Sequence, residues 1–226
     1  MDTSSALSLD QAYELMLKHH GHQGWWPAES DFEMCVGAIL TQNTSWTQVV
    51  KALDQLRSNQ CLAPNAMHAV DEATLAQWIR PAGYFRLKAR RLKAFVGVLI
   101  ETFSGDLVAM LEGETSVVRE RLLAIHGIGP ETADSMLLYA GNHPVFVVDA
   151  YTRRIFSRHG WCSEHESYQS LQDLCHEKLG CSCCDEKVSR VEFWKDYHAQ
   201  LVRIGKEFCR PRQPRCQACP LGALIG

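Results

Sequence analysis

Along almost the whole of this 226-residue chain, apolar residues recur at the spacing of an α-helix, and sustained strand alternation is absent. "SLDQAYELMLKHHG" opens on a capping box, Ser8 with Gln11, and stops at Gly21. "DFEMCVGAILTQ" can be capped by Asp31, and "SWTQVVKALDQL" sets Trp46, Val49, Val50, Leu53 and Leu56 on one stripe. The same periodicity predicts helices at about 72–80, 87–103, 116–125, 130–140, 150–158, 165–179 and 186–208. The one candidate strand, "VFVV" at 145–148, is too short to build a sheet. The predicted fold is therefore all-α, with no repeat, low-complexity tract or long linker.

Hydrophobic content of 46% with 22% charged residues is that of a soluble globular chain. No window approaches roughly 18 uninterrupted apolar residues, so no membrane span is expected. The acidic start, "MDTSSALSLDQ", lacks the basic and apolar regions of a secretory signal, so the expected location is the cytoplasm (nucleoid) or a nucleus. Net charge is −3, but residues 1–149 hold 11 basic and 17 acidic side chains, and residues 150–226 hold 12 and 9. Two basic runs, "RLKARRLK" (86–93) and "RIGKEFCRPRQPR" (203–215), read most plainly as solvated faces; they also suit a chain that holds DNA at one cleft. Of ten cysteines, Cys35 and Cys61 read as inert thiols. The others crowd the last third, where Cys209-x6-Cys216-x2-Cys219 has metal-site spacing.

The stretch "AIHGIGPETADSMLLYAGNHPVFVVDAY" (124–151) carries the sharpest local signal. Gly127 and Gly129 permit positive φ in a tight hairpin between helices, and Pro130 suits the first position of the second helix. The N–H groups around Ile128 to Glu131 would then face outward at a helix N-terminus, a site for an anion such as a backbone phosphate. A plain helix–turn–helix connection is the simpler alternative.

Together with its surroundings, this stretch resembles the helix-hairpin-helix of the endonuclease III superfamily of DNA base-excision glycosylases. "VFVVDAYTRRI" places Asp149 eighteen residues after Glu131, at the family's spacing. "VGAILTQNTSW" (36–46) resembles the helix and loop carrying a duplex-probing glutamine, here Gln42. "IRPAGYFRLKARRLKAF" resembles the helix pair before the hairpin, and "IGKEFCRPRQPRCQACPL" the cluster loop. The match covers roughly residues 25 to 221. It implies two lobes, a six-helix domain at 24–143 and a terminal domain from 1–23 with 144–226, enclosing a cleft.

By the resemblance, Asp149 is the carboxylate that stabilises the positive charge developing on the sugar as the base leaves. Sequence alone makes it a helix N-cap, and the two roles are compatible. Bifunctional members carry a lysine where this chain has Glu131; that amine forms a Schiff base, which glutamate cannot. The implied reaction is hydrolytic and leaves an abasic site, with Glu131 reduced to a helix-dipole partner.

"GWWPAESDFE" with "GAILTQNTSW" looks closest to the 3-methyladenine DNA glycosylase III branch. The resemblance implies a base pocket of Trp25, Trp26, Pro27 and Trp46, although Trp46 also begins a hydrophobic stripe. Methylated purines are cationic, stack well on indole and leave readily. Relatives complete the cysteine loop with a fourth ligand to a [4Fe–4S] cluster, but here that position is Ile225. Cys181, Cys183 and Cys184 are favoured over His198 as the fourth ligand; zinc or no metal are the alternatives. The expected partner is double-stranded DNA with a damaged base, contacted by Gln42, Gly127, Ile128, Gly129, Glu131, Arg210, Arg212 and Arg215, and the expected state is a monomer. A mismatch or oxidised-base glycosylase, or a non-catalytic DNA-binding module, are the competing readings.

Overall fold

The computed structural model describes residues 9–179 and 190–224; Ser8, Cys181, Cys183, Cys184 and Ile225 lie outside the described residues. Among the described residues there are twelve α-helices, three short 3₁₀ turns and no strand. The chain divides after Trp26 and after His143 into a central unit, Pro27–His143, and a unit drawn from both ends.

The central unit contains α2 (Asp31–Thr41), α3 (Trp46–Ser58), α4 (Pro64–Ala69), α5 (Glu72–Trp78), α6 (Phe85–Phe103), α7 (Leu107–Leu111), α8 (Thr115–Leu123) and α9 (Pro130–Tyr139). The cap of α2 is Ser30, whose Oγ accepts the Glu33 N–H at 3.1 Å; Asp31 stands inside the first turn instead. That arrangement satisfies an orphan donor and also places an acid at the positive end of the helix dipole. α2 and α9 are buried nearly all round, so their acids need partners. Glu33 meets Arg57 at 2.9 Å, and the fully buried Asp134 receives Arg119 through two bonds of 2.7 and 3.0 Å. On α3 the buried stripe is Val49, Ala52, Leu53 and Leu56; Val50, expected on it, is exposed, because it lies one residue, about 100°, past Val49 at the edge of the stripe. The helices α4 and α7, six and five residues long, were too short to register as periodic patterns.

The terminal unit holds α1 (Leu9–His20), α10 (Ala150–Arg158), α11 (Tyr168–Lys178) and α12 (Arg190–Glu207). Tyr13 stacks on Tyr197 with ring centroids 5.4 Å apart and donates to Asp196 at 2.8 Å, fastening the first described helix to the last. The Gly205 position leaves room for Tyr151: a Cβ there would stand 2.7 Å from the ring's Cγ. The "VFVV" segment is wholly buried but forms no strand. Side chains of α11 satisfy its backbone instead. Phe146 N–H donates to His176 Nε2 at 3.0 Å, Phe146 O accepts from Gln172 at 2.7 Å, and Val148 N–H donates to Tyr168 Oη at 3.4 Å.

Candidate functional site

In the central unit the hairpin between α8 and α9 turns on a single left-handed residue. Gly127 has φ +86°, and a Cβ there would stand 2.7 and 2.8 Å from Arg91 Cδ and Nε. Gly129 differs from expectation: its φ is −97°, an extended cap that any residue adopts, and nothing lies within 4 Å of its would-be Cβ. The Ile128 N–H also departs from the expected outward set, since it donates to Ile125 O at 3.1 Å, and the Ile128 side chain is buried. A short turn must close its own backbone bonds first, which leaves the α9 end, from Gly129 onward, as the part able to meet an anion. Glu131 is exposed in the first turn of α9.

Gln42 is tied to this hairpin. Its Nε2 donates to Gly127 O at 3.0 Å and to Thr132 Oγ1 at 2.9 Å, and its Oε1 accepts from Arg91 Nη1. The preceding turn of α6 carries Lys88, 1% exposed, whose Nζ donates to Leu40 O (2.8 Å), Ala82 O (2.8 Å) and Thr44 Oγ1 (2.5 Å). Burial, with repulsion from Arg91, pushes Lys88 down to about 8. Lys93 caps α4 through the carbonyls of Met67, His68 and Val70. The basic run 86–93 is thus neither a solvated face nor a DNA stripe as a whole, for three of its five cations work inside the unit. Only Arg86 and Arg90 are exposed.

In the terminal unit Asp149 caps α10. Its Oδ1 accepts the Thr152 N–H at 2.7 Å and the Thr152 hydroxyl at 3.0 Å, while Oδ2 lies 3.6 Å from His198 Nε2. The residue is only 9% exposed. Burial pushes this carboxyl up, but the attraction of His198 and the Thr152 donors outweigh it, so Asp149 is held below the usual carboxylate range. Two turns along α12, Lys206 stands 5.2 Å from the Trp25 ring centroid. Burial lowers its amine, and the charge of Asp149 acts in the opposite direction.

Trp25 and Trp26 are half-buried, with centroids 5.8 Å apart. Their segment is anchored to α12: Gln23 N–H donates to Asp196 at 2.6 Å, Gln23 Oε1 accepts from Arg203 at 3.0 Å, and Gly21 O accepts from Gln200 at 2.7 Å. One helix therefore fixes the two tryptophans and the face of Asp149. Pro27, exposed, and Trp46, half-buried at the start of α3, belong to the central unit.

The cysteine loop is pinned by α10. Arg154 Nε donates to Cys209 O at 2.7 Å, and Arg158 Nη1 reaches Cys209 Sγ at 3.3 Å and Arg210 O at 2.8 Å. Burial pushes the Cys219 thiol up, and Cys209 and Cys216 lie near enough to add to the effect. Among the described residues, however, no group of three or more His, Cys, Asp or Glu side chains could hold a metal ion. As placed, these three thiols do not form a zinc site, and the candidate fourth ligands to a [4Fe–4S] cluster lie outside the described residues. Cys175, expected among the metal-type cysteines, is a buried thiol pushed strongly up by its apolar surroundings. Arg210, Arg212 and Arg215 are exposed.

Four contributors escaped the sequence reading. Arg91, Lys88 and Lys206 had counted only as charges in basic runs, and His198 only as a metal ligand. The signal for His198 and Lys206 was their eight-residue separation within one helical pattern, which returns them toward the same side of α12. No residue-level signal marked Arg91.

Over 210 residues the chain is 41% identical to the "Putative DNA repair glycosylase" of Methanocaldococcus jannaschii, covering 92% of this chain and 91% of that one. The structure of H. pylori 3-methyladenine DNA glycosylase bound to 1,N6-ethenoadenine matches with TM-score 0.77 and 27% identity, over 89% of this chain and 98% of that one. A non-covalent endonuclease III–DNA complex shares the fold, with TM-score 0.78 and 23% identity over 97% and 95% of the two chains. No helix of the described residues is long and apolar enough to cross a membrane. With the family model matched across residues 36–181, hairpin and Asp149 included, the chain belongs to the HhH-GPD superfamily of base excision DNA repair proteins.

Proposed function

We propose that this DNA glycosylase is monofunctional: it hydrolyses the N-glycosidic bond of alkylated purines in double-stranded DNA, 3-methyladenine foremost, and leaves an abasic site. The observation that carries the reading is the state of Asp149. It is an ionised, nine-tenths buried carboxylate with one oxygen fixed by Thr152 and the other facing His198, while the hairpin offers Glu131 where a lyase amine would stand.

In this reading Asp149 stabilises the oxocarbenium character of the sugar, and low local dielectric makes that charge effective. Its cap bonds spare the site any reorganisation as charge develops. Trp25 and Trp26 offer indole faces to the extruded base, and a cationic leaving group needs little acid assistance. The N–H groups at the start of α9 and the exposed Arg210, Arg212 and Arg215 take up backbone phosphates, and the open space over Gly129 admits one closely. Likeness to the H. pylori enzyme, named for 3-methyladenine, supports the substrate class. No step runs through the cysteine loop, and iron and acid-labile sulfide analysis tests whether it carries a cluster.

One observation favours a second reading. Lys206 already lies over Trp25, where a cationic base would meet a like charge, so a neutral lesion such as an oxidised or mispaired base is the competing substrate. A panel of duplexes, each bearing one defined lesion, separates the two. Release of 3-methyladenine well ahead of neutral lesions is the expected result, and preference for a neutral lesion overturns the alkylpurine assignment. Borohydride added to the same reactions should trap no covalent complex; an adduct mapping to Lys206 or any other lysine overturns the hydrolytic one.

A further inference from the structure

The guanidinium of Arg91 joins two elements that the family resemblance assigns to separate tasks. Its Nη1 donates to Gln42 Oε1, and its stem lies across Gly127 so closely that no side chain fits at that turn. The other end of the Gln42 carboxamide donates to Gly127 O and Thr132 Oγ1, so Arg91, Gln42, the turn and α9 form one closed cycle. Three residues earlier on α6, Lys88 fixes both sides of the Gln42 turn through Leu40 O and Thr44 Oγ1. The Gln42 carboxamide has one favoured orientation, because exchange of its oxygen and nitrogen would set Nε2 against the Arg91 donor and Oε1 against the Gly127 carbonyl; only the Thr132 hydroxyl, donor or acceptor, would tolerate it.

We infer that Arg91 is a positioning residue: it presets the Gln42 carboxamide against the hairpin, and so couples the turn that meets the duplex to the turn that meets the phosphate. This rests on Gln42 being the duplex-probing residue. Phosphate capture at the hairpin then occurs with Gln42 already oriented, and a complex without Arg91 must order that side chain during base extrusion. The guanidinium acts through Gln42 and touches no reacting atom.

The test is a double-mutant cycle on the full chain, with single-turnover excision from a 3-methyladenine duplex corrected for active fraction. Arg91→Met keeps an unbranched stem over Gly127 and removes the fork. Loss of a charged hydrogen bond to a group that must be oriented predicts a fall of about tenfold or more. In a Gln42→Ala background the same change should cost no more than about twofold, because there is nothing left to orient. Losses that multiply in the double variant, or an unchanged rate in Arg91→Met, overturn the inference. A purely structural role would give multiplying losses that follow melting temperature. Should Arg91→Met not fold, Arg91→Lys serves the same cycle, keeping charge and stem while removing the guanidinium nitrogen that reaches Gln42 Oε1. Unchanged excision in Gln42→Ala alone would instead sink the reading of Gln42 on which the inference rests.

Discussion

Replacing each hairpin glycine by alanine should give opposite outcomes. At Gly127, alanine must adopt φ +86°, a left-handed conformation costing about 1–2 kcal/mol, and its Cβ must displace the Arg91 stem, overpacking worth roughly 1–3 kcal/mol. The expected loss is about 2–5 kcal/mol, or roughly 4–20 °C in melting temperature for a chain of this size. At Gly129 the backbone is already extended and the Cβ meets open space, so stability should change by less than about 1 kcal/mol, the difference between glycine and alanine at an N-cap. DNA affinity should nevertheless fall, because that methyl projects where a phosphate must approach. Chemical denaturation and equilibrium binding on both variants make the assay. A Gly127→Ala protein as stable as the parent would refute the packing account, and a Gly129→Ala protein with undiminished affinity would refute the phosphate site.

Three further outcomes follow from the geometry. Changing Arg210, Arg212 and Arg215 together to alanine should flatten the salt dependence of DNA binding by about 2–3 units of log–log slope, and an unchanged slope would place DNA elsewhere on the surface. Trp25→Leu should slow 3-methyladenine excision by more than about tenfold, since cation–π attraction in a desolvated site is worth roughly 2 kcal/mol; a normal rate per folded molecule would remove Trp25 from the pocket. Lys88 titrates at about 8 in the folded chain and near its ordinary, higher value when unfolded. Between those values the unfolded chain binds the extra proton, so stability rises with pH. The stability of the wild type relative to Lys88→Met should therefore increase from about pH 8 towards pH 10, and a flat difference across that range would contradict the buried-ammonium description.

Much of the fold was legible in the sequence because amphipathic helices announce their period. What was lost went for identifiable reasons. α4 and α7 are shorter than two turns, so no apolar pattern could repeat within them. Asp31 and Ser30 are both good capping residues, and only the backbone shows which hydroxyl or carboxylate reaches the Glu33 N–H. "VFVV" was ambiguous because a segment buried on every side reads alike whether strands or side chains such as Gln172 and His176 satisfy its backbone.

The site was legible where a motif constrained it and opaque where chemistry depended on neighbours distant in sequence. Asp149 could be read both as cap and as candidate acid, and the structure shows the cap on Oδ1 with Oδ2 facing His198. The glycine pair looked symmetric, yet Gly127 is demanded by conformation and packing and Gly129 by neither. The run 86–93 shows the limit of charge counting: a lysine 1% exposed and an exposed arginine two residues later carry the same formal charge.

The most direct measurement of the central claim is single-turnover release of 3-methyladenine from a methylated duplex by the wild type and by Asp149→Asn. Asparagine caps a helix as well as aspartate does, so the fold and DNA affinity should be retained. Removing the Asp149 charge should lower the excision rate by roughly two to three orders of magnitude. A rate near that of the wild type, at full DNA affinity, would take Asp149 out of the mechanism.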